Sequence, residues 1–134
     1  MTRVVVDTSA WSLALRRRQP QSTSPAGHKL ATLLQNGPPV VLIGLILQEL
    51  LQGLRSRTQF DQIQRALEAF PVIEPTRDDY VEAARVRNLC AARGAQPGTI
   101  DCLIAAVCLR HDCLLLTADA DFEAIARHTA LRLV

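Results

Sequence analysis

TIDCLIAAVCLRHDCLLLTADADF, residues Thr99–Phe122, is the stretch that decides the architecture. Thr99 is a plausible cap for a helix running through Leu109, and Leu114–Leu116 reads as a strand buried on both faces. Thr117-Ala118-Asp119-Ala120-Asp121 then turns into a last helix, Phe122–Arg127. Three acids punctuate this apolar stretch. Asp101 falls in the first turn of the first helix, and steps of three and four from it reach the inward residues Ile104, Ala105 and Cys108, so its carboxylate points toward the sheet edge. Asp119 and Asp121 come just after the strand. A carboxylate beside an apolar core loses hydration and several together repel, so protons, Arg or Lys partners, or a metal cation must compensate. The chain has one lysine, Lys29. A hard cation is therefore the compensation to look for first, although Asp101 alone also fits an acid that complements the helix dipole.

Outward from this stretch, the pattern repeats. Arg3–Val6 is a β-branched strand followed by Asp7-Thr8-Ser9 and a helix through Trp11, Leu13, Ala14 and Leu15, with Thr8 or Ser9 available as its cap. Val40–Ile43 is a second buried strand, and Gly44 leads into LILQELLQGLR, with Leu47, Leu50, Leu51 and Leu54 on one stripe. Glu49 borders that stripe, an ordinary edge residue alone and of interest only beside Asp7. Phe60, Ile63, Leu67 and Phe70 keep the helical period until Pro71, and Val72-Ile73 is a brief strand. Thr76-Arg77-Asp78-Asp79 resembles a capping box for a helix to about Ala92, which accounts for Asp78 and Asp79 and leaves them out of the site. Gly94–Gly98 breaks the chain before Thr99.

Arg16–Gly27 reads as a basic, proline-containing loop, and a short helix, His28–Gln35, stops at Asn36-Gly37-Pro38-Pro39. The basic triplet Arg16-Arg17-Arg18 fits a solvated helix end better than a phosphate contact. Leu131–Val134 is expected as an edge strand. The order of elements, with continuous apolar strands, predicts one domain over residues 1–134, a three-layer α/β/α fold with a mostly parallel sheet. In such sheets sites form beyond the carboxyl ends of the strands. Asp7 and Asp119 directly follow strands, and Glu49 and Asp101 lie in helices near such ends.

Composition narrows the function classes. The chain has 134 residues and is 49% hydrophobic, enough to bury a core without staples. Its longest apolar run, Val40–Leu47, is far too short to span a bilayer, and Asp7 interrupts any signal-peptide pattern, so a cytoplasmic protein without a membrane partner is expected. Cys90, Cys102, Cys108 and Cys113 form no C-x-x-C pair, which argues against disulfides and zinc. Net charge is +2; with four of the thirteen acids set aside in a cluster, nine face fifteen Arg and Lys, a surrounding surface of about +6. That excess favours a polyanionic partner, or reflects a bias toward arginine with no face of its own.

Carboxylates converging at one sheet edge suit Mg²⁺ or Mn²⁺, which prefer oxygen ligands and retain water. A bound ion can lower the pKa of a water that attacks phosphorus and stabilise the charge on the phosphoryl oxygens. His28, His111 and His128 form no competing arrangement, and neither a G-x-S-x-G nor a P-loop is present. Metal-dependent phosphodiester hydrolysis is what remains.

VVVDTSAW at the start, Glu49 after the second strand, DCLIAAV from Asp101 and LLTADADF near the end together resemble the PIN domain, and within it the VapC toxin branch of toxin-antitoxin systems. The resemblance covers essentially the whole chain. It implies a metal-dependent endoribonuclease using Mg²⁺, or Mn²⁺ in its place, with Asp7, Glu49, Asp101 and Asp119 matching the acidic quartet and Asp121 a less regular fifth acid. It further implies Asp7, Asp101 and Asp119 as metal ligands, Glu49 orienting the attacking water, and Thr8, Ser9 and Thr117 hydrogen-bonding the carboxylates. RNA substrates, often tRNA, a cognate antitoxin that inserts a segment into the site, and homodimers are implied as well. The basic loop Arg16–Gly27 departs from the family pattern.

Three rivals stay open. A phosphoacceptor receiver domain would need paired acids after the first strand and a late Lys. A haloacid dehalogenase phosphatase would need D-x-D after its first strand, whereas Asp119-Ala120-Asp121 lies at the other end. A non-catalytic PIN-like module binding RNA or protein is the third, and retention of all four acids counts against it.

Overall fold

Four apolar runs pair into one parallel sheet in the computed structural model, which describes residues 2–15 and 25–134. The strands are β1 (Arg3–Val6), β2 (Val40–Ile43), β3 (Val72–Ile73) and β4 (Cys113–Leu116). Between them run α1 (Thr8–Leu15), α2 (Pro25–Asn36), α3 (Gly44–Leu51), α4 (Arg57–Leu67), α5 (Arg77–Ala92) and α6 (Thr99–Arg110), and α7 (Asp121–His128) follows β4. Strand order is β3-β2-β1-β4, with Val4 opposite Val40 on one side and Leu114 on the other. Val4, Val5, Val6, Leu42, Ile43 and Leu115 are fully buried, which is why these strands read as unbroken apolar runs. Helices α1, α2 and α3 pack as one group and α5, α6 and α7 as another, completing the α/β/α layers. Six of the twelve residues of α6 are buried, among them the adjacent Ala105 and Ala106, whose small side chains let neighbouring backbone approach.

The order of the strands fixes where a site can form. The chain steps outward from β1 to β2 to β3, then returns to the other side of β1 to lay down β4. The helices that follow β1 and β4, α1 and α7, belong to the two different helix groups, which opens a crevice beyond the carboxyl ends of these neighbouring strands. Asp7 and Thr117 are the residues that emerge there.

Several boundaries differ from the sequence reading, each for a local reason. Residues 16–24 of the expected Arg16–Gly27 loop lie outside the described residues, and Pro25–Gly27 belong to α2 instead. Pro25 begins the helix, where a missing N–H costs nothing, and Ala26, Gly27 and Leu30 are its buried residues. Helix α3 stops at Leu51 instead of continuing to Arg55, because the chain turns through Gly53 at φ +90°, a conformation glycine adopts without a Cβ clash. Helix α4 is capped by Ser56, whose Oγ accepts from Gln59 N at 3.2 Å, and ends at Leu67, short of the expected stop at Pro71. Gly98, not Thr99, caps α6, which leaves Asp101 in the first turn. Leu131–Val134 forms no strand. Leu115 N donates to Arg132 O at 3.0 Å and Val134 N to Leu115 O at 2.9 Å, a single parallel bridge to Leu133. Both bonds run through Leu115, too few for a ladder.

Asp79 caps α5 as expected, its Oδ2 accepting from Thr76 N at 2.8 Å. It is also fully buried, and Arg110 Nη1 donates to its Oδ1 at 2.7 Å while His111 Nε2 lies 3.2 Å from both oxygens. Burial alone would push this carboxyl up, but the bonds from Thr76, Arg110 and His111 outweigh it and hold the group below 3.8. This network ties the start of α5 to the end of α6. The four cysteines are free and buried, behaving as small hydrophobes.

Candidate active site

Asp7 is the first residue past β1 and opens α1. Its main-chain oxygen accepts from Trp11 N at 3.1 Å, and its Oδ1 accepts from Ala10 N at 3.2 Å in the manner of a helix cap. Two hydroxyls complete its shell. Ser9 Oγ donates to Oδ1 at 2.6 Å and Thr117 Oγ1 to Oδ2 at 2.8 Å. Both protons go to Asp7, so the 3.3 Å contact between the two hydroxyl oxygens has no hydrogen of its own.

The same hydroxyls accept from the turn after β4. Ala118 N donates to Ser9 Oγ at 2.9 Å and Asp119 N to Thr117 Oγ1 at 2.9 Å. Asp119 Oδ1 in turn accepts from Asp121 N at 2.9 Å, which fixes the turn that starts α7. Thr117 therefore connects the Asp7 carboxylate to the main chain of Asp119. On the other flank, Thr8 Oγ1 donates to Glu49 Oε1 at 2.8 Å, joining the first turn of α1 to the second turn of α3. Thr8, Ser9 and Thr117 each hydrogen-bond a carboxylate of the crevice.

Carboxylate oxygens of Asp101, Asp119 and Asp121 all lie within 4.8 Å of one another, a spacing that one cation can bridge. Asp7 stands outside this tight trio, with three donors already on its oxygens. The grouping differs from the expected set of Asp7, Asp101 and Asp119 in taking Asp121 for Asp7. The resemblance gives Asp121 only the place of a less regular fifth acid.

Charge explains what the trio needs. Burial, and then the fields of Asp119, Asp121, Asp7 and Glu49 in that order, push the Asp101 carboxyl from 3.8 up to about 6. Among the described residues none of these five acids forms an ion pair, whereas Asp78, Asp79, Glu82 and Asp112 do. These five carboxylates share one crevice with no cation among the described residues paired to them. The donor set is all oxygen, the repulsion is unrelieved and the spacing is right, so the residues fit a divalent ion of the Mg²⁺ or Mn²⁺ class.

Comparison with known proteins places the chain in a family. The profile of the PIN domain matches residues 4–128. Ribonuclease VapC11 of Mycobacterium tuberculosis is 29% identical over 132 residues, covering 96% of each chain. Among solved structures, VapBC2 from Rickettsia felis bound to a promoter DNA fragment superposes with a TM-score of 0.79 at 17% identity, over 99% of this chain and 98% of that one. A toxin-antitoxin complex from Klebsiella pneumoniae superposes with a TM-score of 0.71 at 19% identity, over 89% of each. The parallel sheet, the acids gathered at its carboxyl edge and a match across nearly the whole length lead to one conclusion: the chain belongs to the PIN domain family.

Proposed function

We propose that this protein is a metal-dependent endoribonuclease and the toxin of a toxin-antitoxin pair, hydrolysing RNA phosphodiester bonds at the Asp7–Glu49–Asp101–Asp119 crevice. The observation that carries the reading is the set of unpaired acids, with Asp101, Asp119 and Asp121 close enough to share an ion. A divalent ion held there would polarise a phosphoryl oxygen and lower the pKa of a bound water. The chain's own residues prepare the site for it. Ser9 and Thr117 hold both oxygens of Asp7, and Asp119 is fixed by its main-chain bond to Thr117. Thr8 holds one oxygen of Glu49, and in this reading the other orients the attacking water and takes its proton. A pre-set carboxylate frame of this kind reduces the reorganisation needed when phosphate charge develops.

Support for the toxin role comes from the relative named a VapC ribonuclease and the neighbours solved as VapBC and toxin-antitoxin complexes. A cognate antitoxin and a homodimeric assembly belong to the same reading, with tRNA the first substrate to try. The test is to incubate the antitoxin-free protein with bulk tRNA and total bacterial RNA in Mg²⁺, Mn²⁺ or EDTA, with Asp101→Asn in parallel. Cleavage that requires both metal and Asp101 supports the enzyme. Metal-independent cleavage, or equal cutting by the variant, refutes the site.

A further inference from the structure

Lys29, the single lysine of the chain, projects from α2 far from the acids in sequence, yet it lines a cavity of about 410 Å³ that Asp119 also lines. The volume falls within the range of about 300–1,000 Å³ typical of ligand sites. Asp119 lines the cavity together with Thr117, Ala118 and Ala120 of the turn after β4, and the Lys29 ammonium donates to the main-chain oxygen of Val134 at 3.0 Å. That bond uses one of three ammonium donors, and among the described residues Lys29 forms no ion pair with an Asp or Glu side chain, although Glu123 lines the same cavity. Pro25, Ala26 and Leu133 add apolar surface to the same lining.

We infer that this cavity receives the nucleotide flanking the scissile phosphate of the RNA, with Lys29 contacting that nucleotide's phosphate. The inference rests on the ribonuclease reading above and deepens it by naming a subsite. A polynucleotide alternates anionic linkages with flat apolar bases, which matches a cation and apolar surface in one lining next to a centre that holds phosphate through a metal. A protein segment that neutralised the acids directly would carry positive charge, and Lys29 opposes it.

Because Lys29 is the only side-chain amine, amine acylation reports on it alone through the peptide that contains it. In Glu49→Gln with Mn²⁺, which keeps the metal while cutting slowly, bulk tRNA is expected to protect Lys29 from acylation. Lys29→Gln is expected to lower the slope of log K against log salt by about 0.7–0.9, one phosphate contact, and Lys29→Arg to restore it. Loss of the Val134 bond alone would not move that slope. If the wild type cleaves RNA with metal while Lys29 stays unprotected and the Gln variant keeps the full slope, the inference is overturned, the ribonuclease reading stands, and the cavity falls to a protein segment. If neither tRNA nor total bacterial RNA is cut with metal present, the reading fails first and the subsite falls with it.

Discussion

Replacing Asp101 by Asn is expected to make the metal-free protein more stable while abolishing activity. In the folded chain its carboxyl sits at about 6 against an ordinary 3.8, because burial and the neighbouring acids oppose its charge. Between those two values the folded state holds more protons than the unfolded state, so stability falls as pH rises from about 4 through 6 and stays low above. At about 1.36 kcal/mol per pH unit the full displacement is worth about 3 kcal/mol, and water on the open side of the crevice cuts that to about 1–2 kcal/mol. Asn has the same shape and no charge to lose. Urea unfolding in EDTA at pH 4 and pH 8 should give a variant equal to wild type at the lower pH and about 1–2 kcal/mol more stable at the higher. Saturating Mn²⁺ should then reverse the order by stabilising the wild type alone. A variant no more stable than wild type at pH 8 would mean that the acids do not strain one another, and the electrostatic case for a cation would collapse.

Three further outcomes follow from the same contacts. Asp79→Asn should destabilise by about 3 kcal/mol in urea, the low end for breaking a buried pair because Arg110 can reach water; in wild type that contribution is present above about pH 4 and lost as pH falls through the lowered Asp79 value. Thr117→Val removes the donor to Asp7 and the acceptor for Asp119 N at nearly constant volume, so activity should fall about 10–100-fold and Mn²⁺ affinity, read by calorimetry, with it. Glu49→Gln keeps an oxygen for Thr8 but not the base; the cleavage rate should drop about 10²–10⁴-fold while Mn²⁺ binding by calorimetry stays close to wild type.

What the sequence disclosed and what it hid divide along the range of the interactions. Strands buried on both faces must be continuous apolar runs, so RVVV, VVLI and the LLL at Leu114–Leu116 were legible, and with them the sheet edge that carries Asp7 and Asp119. Local turn chemistry was partly legible: the Thr76–Asp79 cap was foreseen, while the end of α3 at Gly53 was missed because its leucine stripe continues past the point where the backbone turns. The Leu131–Val134 run looked like a strand from composition, yet its pairing depended on how far it could follow β4 after α7. Contacts between residues a hundred positions apart left no local trace. Nothing near Lys29 in sequence announces that α2 faces the Asp119 turn, and nothing near Asp121 announces that its oxygens share a space with those of Asp101.

Asp79 and Asp101 make the general point about reading such sites. Both sit in the first turn of a helix, where an acid complements the dipole; the sequence assigns Asp79 to the helix cap and Asp101 to the sheet edge. The fold separates them by their partners. Asp79 is wholly buried, yet it meets Arg110, His111 and the Thr76 main chain, and its carboxyl is held below the ordinary value. Asp101 is less buried, yet it meets four other acids and is pushed well above it. Burial ranks the two acids in the wrong order for function, and the sign of the surrounding charge ranks them correctly. An acid whose neighbours already compensate it stabilises the fold, whereas one set among like charges raises the energy of the empty site, which a bound cation then recovers as affinity.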